Sequence, residues 1–216
     1  MSDYHQYIYD RGARKIIGDF EAAYKNCEDT WPSQHDVHLL KYQSVFHRLR
    51  CLGPEARVAD IGCGYGDFVA FLRRSGIDAC GYEISPTAVA KGQERFGLDS
   101  HLAAADLLSG IPSADESFDV IVLFGVFWFL LDGIDAAMDE VKRLLKPGGI
   151  LVASIGMVAD PIGKETLGSY DDFIGHLRKH FAVTETALHA DSSDLRRGLP
   201  YSQCATDLVA YCEKRP

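Results

Sequence analysis

The sequence predicts an α/β fold: a doubly wound, seven-stranded, mostly parallel sheet with its last strand antiparallel, preceded by N-terminal helices. Three observations carry that expectation. Strand-like and helix-like apolar patterns alternate between residues 57 and 155. The first strand-like run passes directly into a glycine-rich stretch, VADIGCGYG at residues 58–66. Two more strand-like segments follow residue 180, where a pair closing the sheet antiparallel at its edge would use the tail economically. Short connections between alternating strands and helices imply parallel pairing, because each crossover must cover an otherwise exposed face.

Before residue 50 the periodicity is helical. Ile16, Phe20 and Ala23 recur at spacings of three and four, as do Leu39, Tyr42, Phe46 and Leu49, with Trp31-Pro32-Ser33 as a turn between them. Arg57 to Ile61 is the first strand, and Asp67 to Arg74 the helix after it. The second strand spans Ile77 to Ile84; Ser85 then caps a helix running to about Phe96, with Pro86 in the first turn, where a missing N–H is tolerated. A weaker third strand lies around His101 to Ala104 and a fourth at Phe118 to Phe124. The helix from Asp135 to Leu145 ends at Lys146-Pro147-Gly148-Gly149, a turn that leads into a fifth strand at Ile150 to Ile155. Residues 156–168 have a loop composition, Tyr170 to His180 a helical one, and Phe181 to Leu188 and Ala205 to Cys212 form the last strands around a polar connection at His189 to Gln203.

Composition bounds the function. A chain of 216 residues suits one main α/β domain, here residues 51–216, with residues 1–50 as a helical extension or lid. The 22 Lys and Arg against 31 Asp and Glu give a net charge of -9, which makes nucleic acid and anionic membranes poor partners. The uncharged run from Val120 to Leu131 is too short to span a bilayer, and MSDYHQYIYD carries acids and tyrosines where a secretory leader would be basic and apolar. A cytoplasmic location is expected. Cys27, Cys51, Cys63, Cys80, Cys204 and Cys212 form no CxxC pair and no zinc spacing, so free thiols and no metal are expected.

Gly62, Gly64 and Gly66 occupy the turn from the first strand to the first helix, at the sheet edge where open α/β folds bind ligands. Missing Cβ atoms allow a tight turn and close approach of ligand to backbone. The spacing is GxGxG rather than the dinucleotide GxGxxG, and no Lys-Ser or Lys-Thr follows for a triphosphate. Glu83 ends the second strand, where an ionised carboxylate can accept both hydroxyls of a ribose. Together these residues resemble the class I S-adenosylmethionine-dependent methyltransferase family over roughly residues 50–155.

That resemblance implies S-adenosyl-L-methionine as cofactor. Asp60, Gly62, Cys63, Gly64, Tyr65 and Gly66 match the glycine motif that holds the methionine portion; Glu83 matches the ribose acid. Asp106 would accept from the adenine amino group, with Ile84 and Leu107 on the ring faces, and Phe124 ends the matching fourth strand. Asp106 could instead only cap its own turn. Phe124-Gly125-Val126-Phe127 replaces the Asn or Asp followed by Pro-Pro and an aromatic that marks family members acting on base amines or glutamine amides.

Methyl transfer demands alignment, exclusion of water and management of one proton, so it leaves few obligatory catalytic groups. His35, His38 and His189 are the candidate bases, while Trp31, Phe127 and Trp128 are candidates for the acceptor pocket. A small-molecule acceptor is favoured; a protein acceptor, or cofactor binding without turnover, is the alternative.

Overall fold

The computed structural model describes residues 4–28, 30–31, 36–53, 55–157, 161–190 and 205–215. In chain order the elements begin with α1 (His5–Ile8), β1 (Tyr9–Asp10), β2 (Lys15–Ile16), α2 (Phe20–Asn26) and α3 (Leu40–Leu49). The α/β unit follows: β3 (Arg57–Ile61), α4 (Asp67–Arg74), β4 (Asp78–Glu83), α5 (Pro86–Phe96), β5 (Leu102–Ala104) and β6 (Phe118–Phe124). After a 3-10 turn at Phe127–Phe129 come α6 (Ile134–Leu144), β7 (Leu145–Gly156), α7 (Lys164–Leu167), α8 (Tyr170–His180), β8 (Phe181–Ala190) and β9 (Thr206–Lys214).

The main sheet has seven strands in the order β5-β4-β3-β6-β7-β9-β8. Only β9 runs antiparallel, pairing with both β7 and β8. The strand order reverses beside β3, which puts the β3 and β6 ends at the switch point where ligands enter such sheets. Both sheet faces are covered, which explains the near-continuous apolar character of β6. On one face Ile121, Leu123, Leu151 and Ile155 pack with α6 and α8 residues such as Val141 and Leu177. On the other, Val58, Val120, Val152 and Val209 pack with Tyr42, Val45 and Leu49 of α3 and with α4. No helix among the described residues is long and apolar enough to cross a membrane.

Several local expectations change. Ile16 is not helical: Lys15 and Ile16 pair antiparallel with Tyr9 and Asp10. Gly18 then takes a positive φ of 69° and Asp19 caps Ala22 N–H, so α2 starts only at Phe20. The Lys146 to Gly149 segment does not stand apart as a turn but forms the entry of β7. Leu145 pairs with Phe118, and the register then shifts until Ile150 meets Val120, so the segment is absorbed as an irregularity of the strand. A short helix, α7, forms within the predicted 156–168 loop. His189 belongs to β8 opposite Asp207, because β9 extends far enough to pair with it.

Gly92 lies inside α5, where glycine ordinarily weakens a helix. A Cβ added there would stand 2.2 Å from the Tyr65 carbonyl oxygen, so its absence lets α5 press against the glycine-rich loop. Gly92→Ala is expected to destabilise the fold by about 1–3 kcal/mol despite alanine's better helix propensity. Urea unfolding measures it, and an unchanged or higher midpoint would show that the approach imposes no constraint.

Candidate functional site

The β3–α4 turn is built by glycines in the left-handed region: φ is 78° at Gly62, 58° at Gly64 and 80° at Gly66. Gly62 N–H donates to the Tyr82 carbonyl at 2.7 Å and Gly66 N–H to the Cys63 carbonyl at 2.9 Å. Gly64 N–H instead turns to a side chain, donating to Glu83 Oε2 at 3.0 Å. Ser85 N–H donates to the other oxygen, Oε1, at 3.1 Å. Glu83 is therefore fixed between the glycine turn and the start of α5. Its burial holds the carboxyl above its ordinary pKa, while the Ser85 and Gly64 N–H groups work in the opposite direction.

Glu83 lines a cleft of about 850 Å³, including its open mouth, with Gly62, Ile84, Asp106, Leu107 and Phe124 among the other walls. Ile84 is 46% exposed and Leu108, also on the cleft, is 47% exposed. Large apolar side chains left open on facing loop segments suit a flat apolar group between them. Leu107 touches the cleft but is itself buried in the core, so Leu108, which the sequence reading missed, presents the larger apolar surface. Asp106 accepts Leu108 N–H at 3.0 Å and the Ser109 hydroxyl at 2.7 Å, so it shapes its turn while bordering the cleft.

The opposite wall comes from the N-terminal segment. Phe20 and Tyr24, one helical turn apart on α2, line the cleft with Trp31 and with Phe129. Trp31 lies 5.9 Å from Phe20, 5.7 Å from Tyr24 and 6.3 Å from Phe129, ring centre to ring centre. Tyr65 joins this group through an edge-on contact with Tyr24 at 5.1 Å. Trp31 has a φ of 48°, uncommon for a bulky residue.

Comparison with known proteins agrees with this architecture. Residues 59–153 match the family model described as a methyltransferase domain. The fold superimposes with a TM-score of 0.63 on the N-methyltransferase NodS from Bradyrhizobium japonicum WM9, solved with S-adenosyl-L-homocysteine, at 19% identity over 91% of this chain and 98% of that one. The chain thus carries a region similar to methyltransferase domains, on a fold shared with solved proteins of that group. Among curated relatives, a malonyl-[acyl-carrier protein] O-methyltransferase from Enterobacter lignolyticus (strain SCF1) is 33% identical over 44% of this chain and 37% of its own length. The sterol 4-C-methyltransferase strm-1 of Caenorhabditis elegans is 29% identical over 76% of this chain and 47% of its own length. The chain thus spans less than half the length of these two relatives.

The domain and fold imply S-adenosylmethionine as cofactor, and the cleft suits such a molecule: a buried acid for a diol, open apolar side chains for a ring, and bare backbone at the glycine turn. Asp60 lies behind that turn, in a smaller cavity shared with Tyr42, Cys63, Phe68 and Phe124. Cys63 is buried, and burial raises its thiol well above the ordinary value, so it is a small apolar filler rather than a nucleophile.

Other candidates fall elsewhere. Phe127 is fully buried, edge-on to Phe173 at 4.8 Å, and does not line the cleft. Trp128 points its indole N–H at the Gly156 carbonyl, 3.1 Å away, and packs against the core. The 3-10 turn rotates Phe129 to the cleft in their place. His38 is exposed and not on the cleft wall, while His35 lies outside the described residues. His189 is half-buried at the end of β8, 3.2 Å from Ser44 Oγ, and burial lowers its pKa.

Burial and the neighbouring Glu83 push Asp60 from an ordinary 3.8 up to about 7. Between those values the folded state keeps a proton that the unfolded state has released, so this group makes stability fall as pH rises through the window. Asp60→Asn is expected to be more stable than the parent at pH 8 by roughly 1–4 kcal/mol, the gain vanishing below about pH 4. Calorimetric unfolding across pH tests it; a difference independent of pH would refute the buried-charge account.

Proposed function

We propose that the protein transfers a methyl group from S-adenosylmethionine to a small-molecule acceptor inside the cleft beneath α2. One observation carries this reading: a buried carboxylate, Glu83, faces a cleft floored by the glycine turn and roofed by aromatic side chains. In this reading Glu83 accepts the ribose hydroxyls. Ile84, with Leu107 and Leu108, bounds the adenine, Asp106 accepts from its amino group, and Gly62 to Gly66 with Asp60 surround the methionine portion. The cofactor supplies the methyl group on a sulfonium. The chain's own task is to hold the acceptor in line, exclude water and leave a route for one proton.

Two of the N-terminal helices, α2 and α3, divide the work in this proposal. α3 is part of the sheet packing, while α2 and Trp31 form the cover, so residues 1–50 act partly as core and partly as cover over the domain that follows. Among the described residues lining the cleft, Glu83 and Asp106 are the charged ones and no Lys, Arg or His joins them. That wall favours an acceptor with an uncharged or cationic apolar body over an anionic one. The roof also favours a small molecule over an extended peptide. The relatives' names span an oxygen of malonyl-[acyl-carrier protein] and a sterol carbon, so the shared domain leaves the acceptor to this wall.

Glu83→Ala is expected to weaken S-adenosylmethionine binding about 5- to 150-fold, since buried hydroxyls lose their acceptor. Calorimetry with circular dichroism as a check on folding measures it; parental affinity in a folded variant would remove Glu83 from the site. Turnover is tested by screening neutral and amine metabolites with S-adenosylhomocysteine release as the readout, and a preference for anionic acceptors would overturn the reading of the wall.

A further inference from the structure

Glu21 is exposed on α2, yet it makes three hydrogen bonds to the turn that follows β4. Its Oε2 accepts the Ser85 hydroxyl at 2.5 Å and Thr87 N–H at 3.1 Å, and its Oε1 accepts the Thr87 hydroxyl at 2.5 Å. These bonds hold its pKa below the ordinary value, the Ser85 hydroxyl contributing most. Ser85 is fully buried and is the residue whose N–H holds Glu83 Oε1. A continuous chain of hydrogen bonds therefore runs from Gly64 N–H through Glu83 and Ser85 to Glu21.

A second tether sits one turn further along α2. Lys91 of α5 donates to the Tyr24 carbonyl at 2.5 Å. Both tethers join α2 to α5, while Phe20 and Tyr24 face the cleft. The cover is thus fixed by directional bonds to the same turn that orients the cleft's buried acid. An exposed carboxylate is free to release its partners to water, so the contact can open without leaving a buried charge.

We propose that Glu21 is a positioning residue: it couples the seating of α2 over the cleft to the occupied Glu83 site, and so controls how fast the cofactor and its product leave. This rests on the methyltransferase reading above. Ligand on Glu83 fixes Ser85, Ser85 and Thr87 fix Glu21, and Glu21 holds Phe20 and Tyr24 over the ligand. The coupling is reciprocal, so a loosened cover must also loosen the ligand.

The test is stopped-flow dissociation of S-adenosylhomocysteine, followed by Trp31 emission in a Trp128→Phe background. Glu21→Ala is expected to raise the dissociation rate about tenfold or more, with the unfolding midpoint little changed because the side chain is exposed. Thr87→Val should do part of the same, and adding it to Glu21→Ala should add little, since both act on one contact. Glu21→Gln, which keeps an acceptor oxygen, should recover part of the loss. Hydrogen exchange of residues 20–26 should slow on adding S-adenosylhomocysteine in the parent and not in Glu21→Ala. Unchanged dissociation in Glu21→Ala, or fully additive effects with Thr87→Val, would overturn the proposal. Failure of the parent protein to bind S-adenosylhomocysteine would instead overturn the functional reading beneath it.

Discussion

The architecture around the cleft depends on one requirement: a carboxylate buried at the end of a central strand must have donors. Glu83 is 5% exposed, and a buried acid without hydrogen bonds would take up a proton or destabilise the fold. Gly64 and Ser85 supply the two N–H groups from opposite sides. Gly64 can do so because its left-handed backbone turns the amide towards β4, and Ser85 because it is the N-cap of α5, not yet part of the helical ladder. The glycine spacing, the cap and Pro86 serve one local problem. Gly92 completes the arrangement by letting α5 stand close enough to the turn.

A second acid sharpens the electrostatics. Asp60 lies one residue before the end of β3 and Glu83 ends the adjacent parallel strand β4, and Glu83 is among the causes of the raised Asp60 pKa. No Lys, Arg or His is found among the described residues on either cavity that these acids border. Two carboxyl groups in low dielectric around a glycine turn favour a ligand that carries positive charge, and a sulfonium with an ammonium is such a ligand. In the proposed reading, a bound cation offsets part of the cost of burying the pair, which would link the stability of the sheet end to ligand binding.

What was legible in the sequence is what short-range chemistry decides. The strand into VADIGCGYG, the Ser85-Pro86 helix start and Glu83 at a strand end are fixed by neighbours within a few residues, and the structure has them; the sheet with one antiparallel strand, which is long-range pairing, was legible instead from the alternation of strands and helices and from the resemblance. The missed features depend on partners distant in the chain or on rotational phase. Phe127, Trp128 and Phe129 are adjacent aromatics of equal appeal, and only the 3-10 turn decides that Phe129 meets the cleft. His189 becomes a strand residue through pairing with Asp207, and Ile16 through pairing with Tyr9. Leu108 gained its place from a turn shaped by Asp106, whose capping role the sequence did allow. Glu21 gave no signal at all, because an acid in the first turn of a helix is ordinarily explained by the helix dipole.

The cover differs from the sheet in what holds it. α2 has seven residues, too few to be stable as an isolated helix, so its position is set by tertiary contacts. One part of those contacts is aromatic: Phe20, Tyr24, Trp31 and Phe129 bury area against one another with little dependence on exact angle. The other part is the directional set at Glu21 and Lys91. Nondirectional contacts allow a segment to shift while remaining attached, whereas a few directional bonds define one closed position. α3 carries no such division, since Tyr42, Val45 and Leu49 are buried in the sheet packing itself. The N-terminal region therefore combines a fixed element with a marginal one, and the marginal one lines the cleft, where the proposed role as a cover asks for local opening at low free energy.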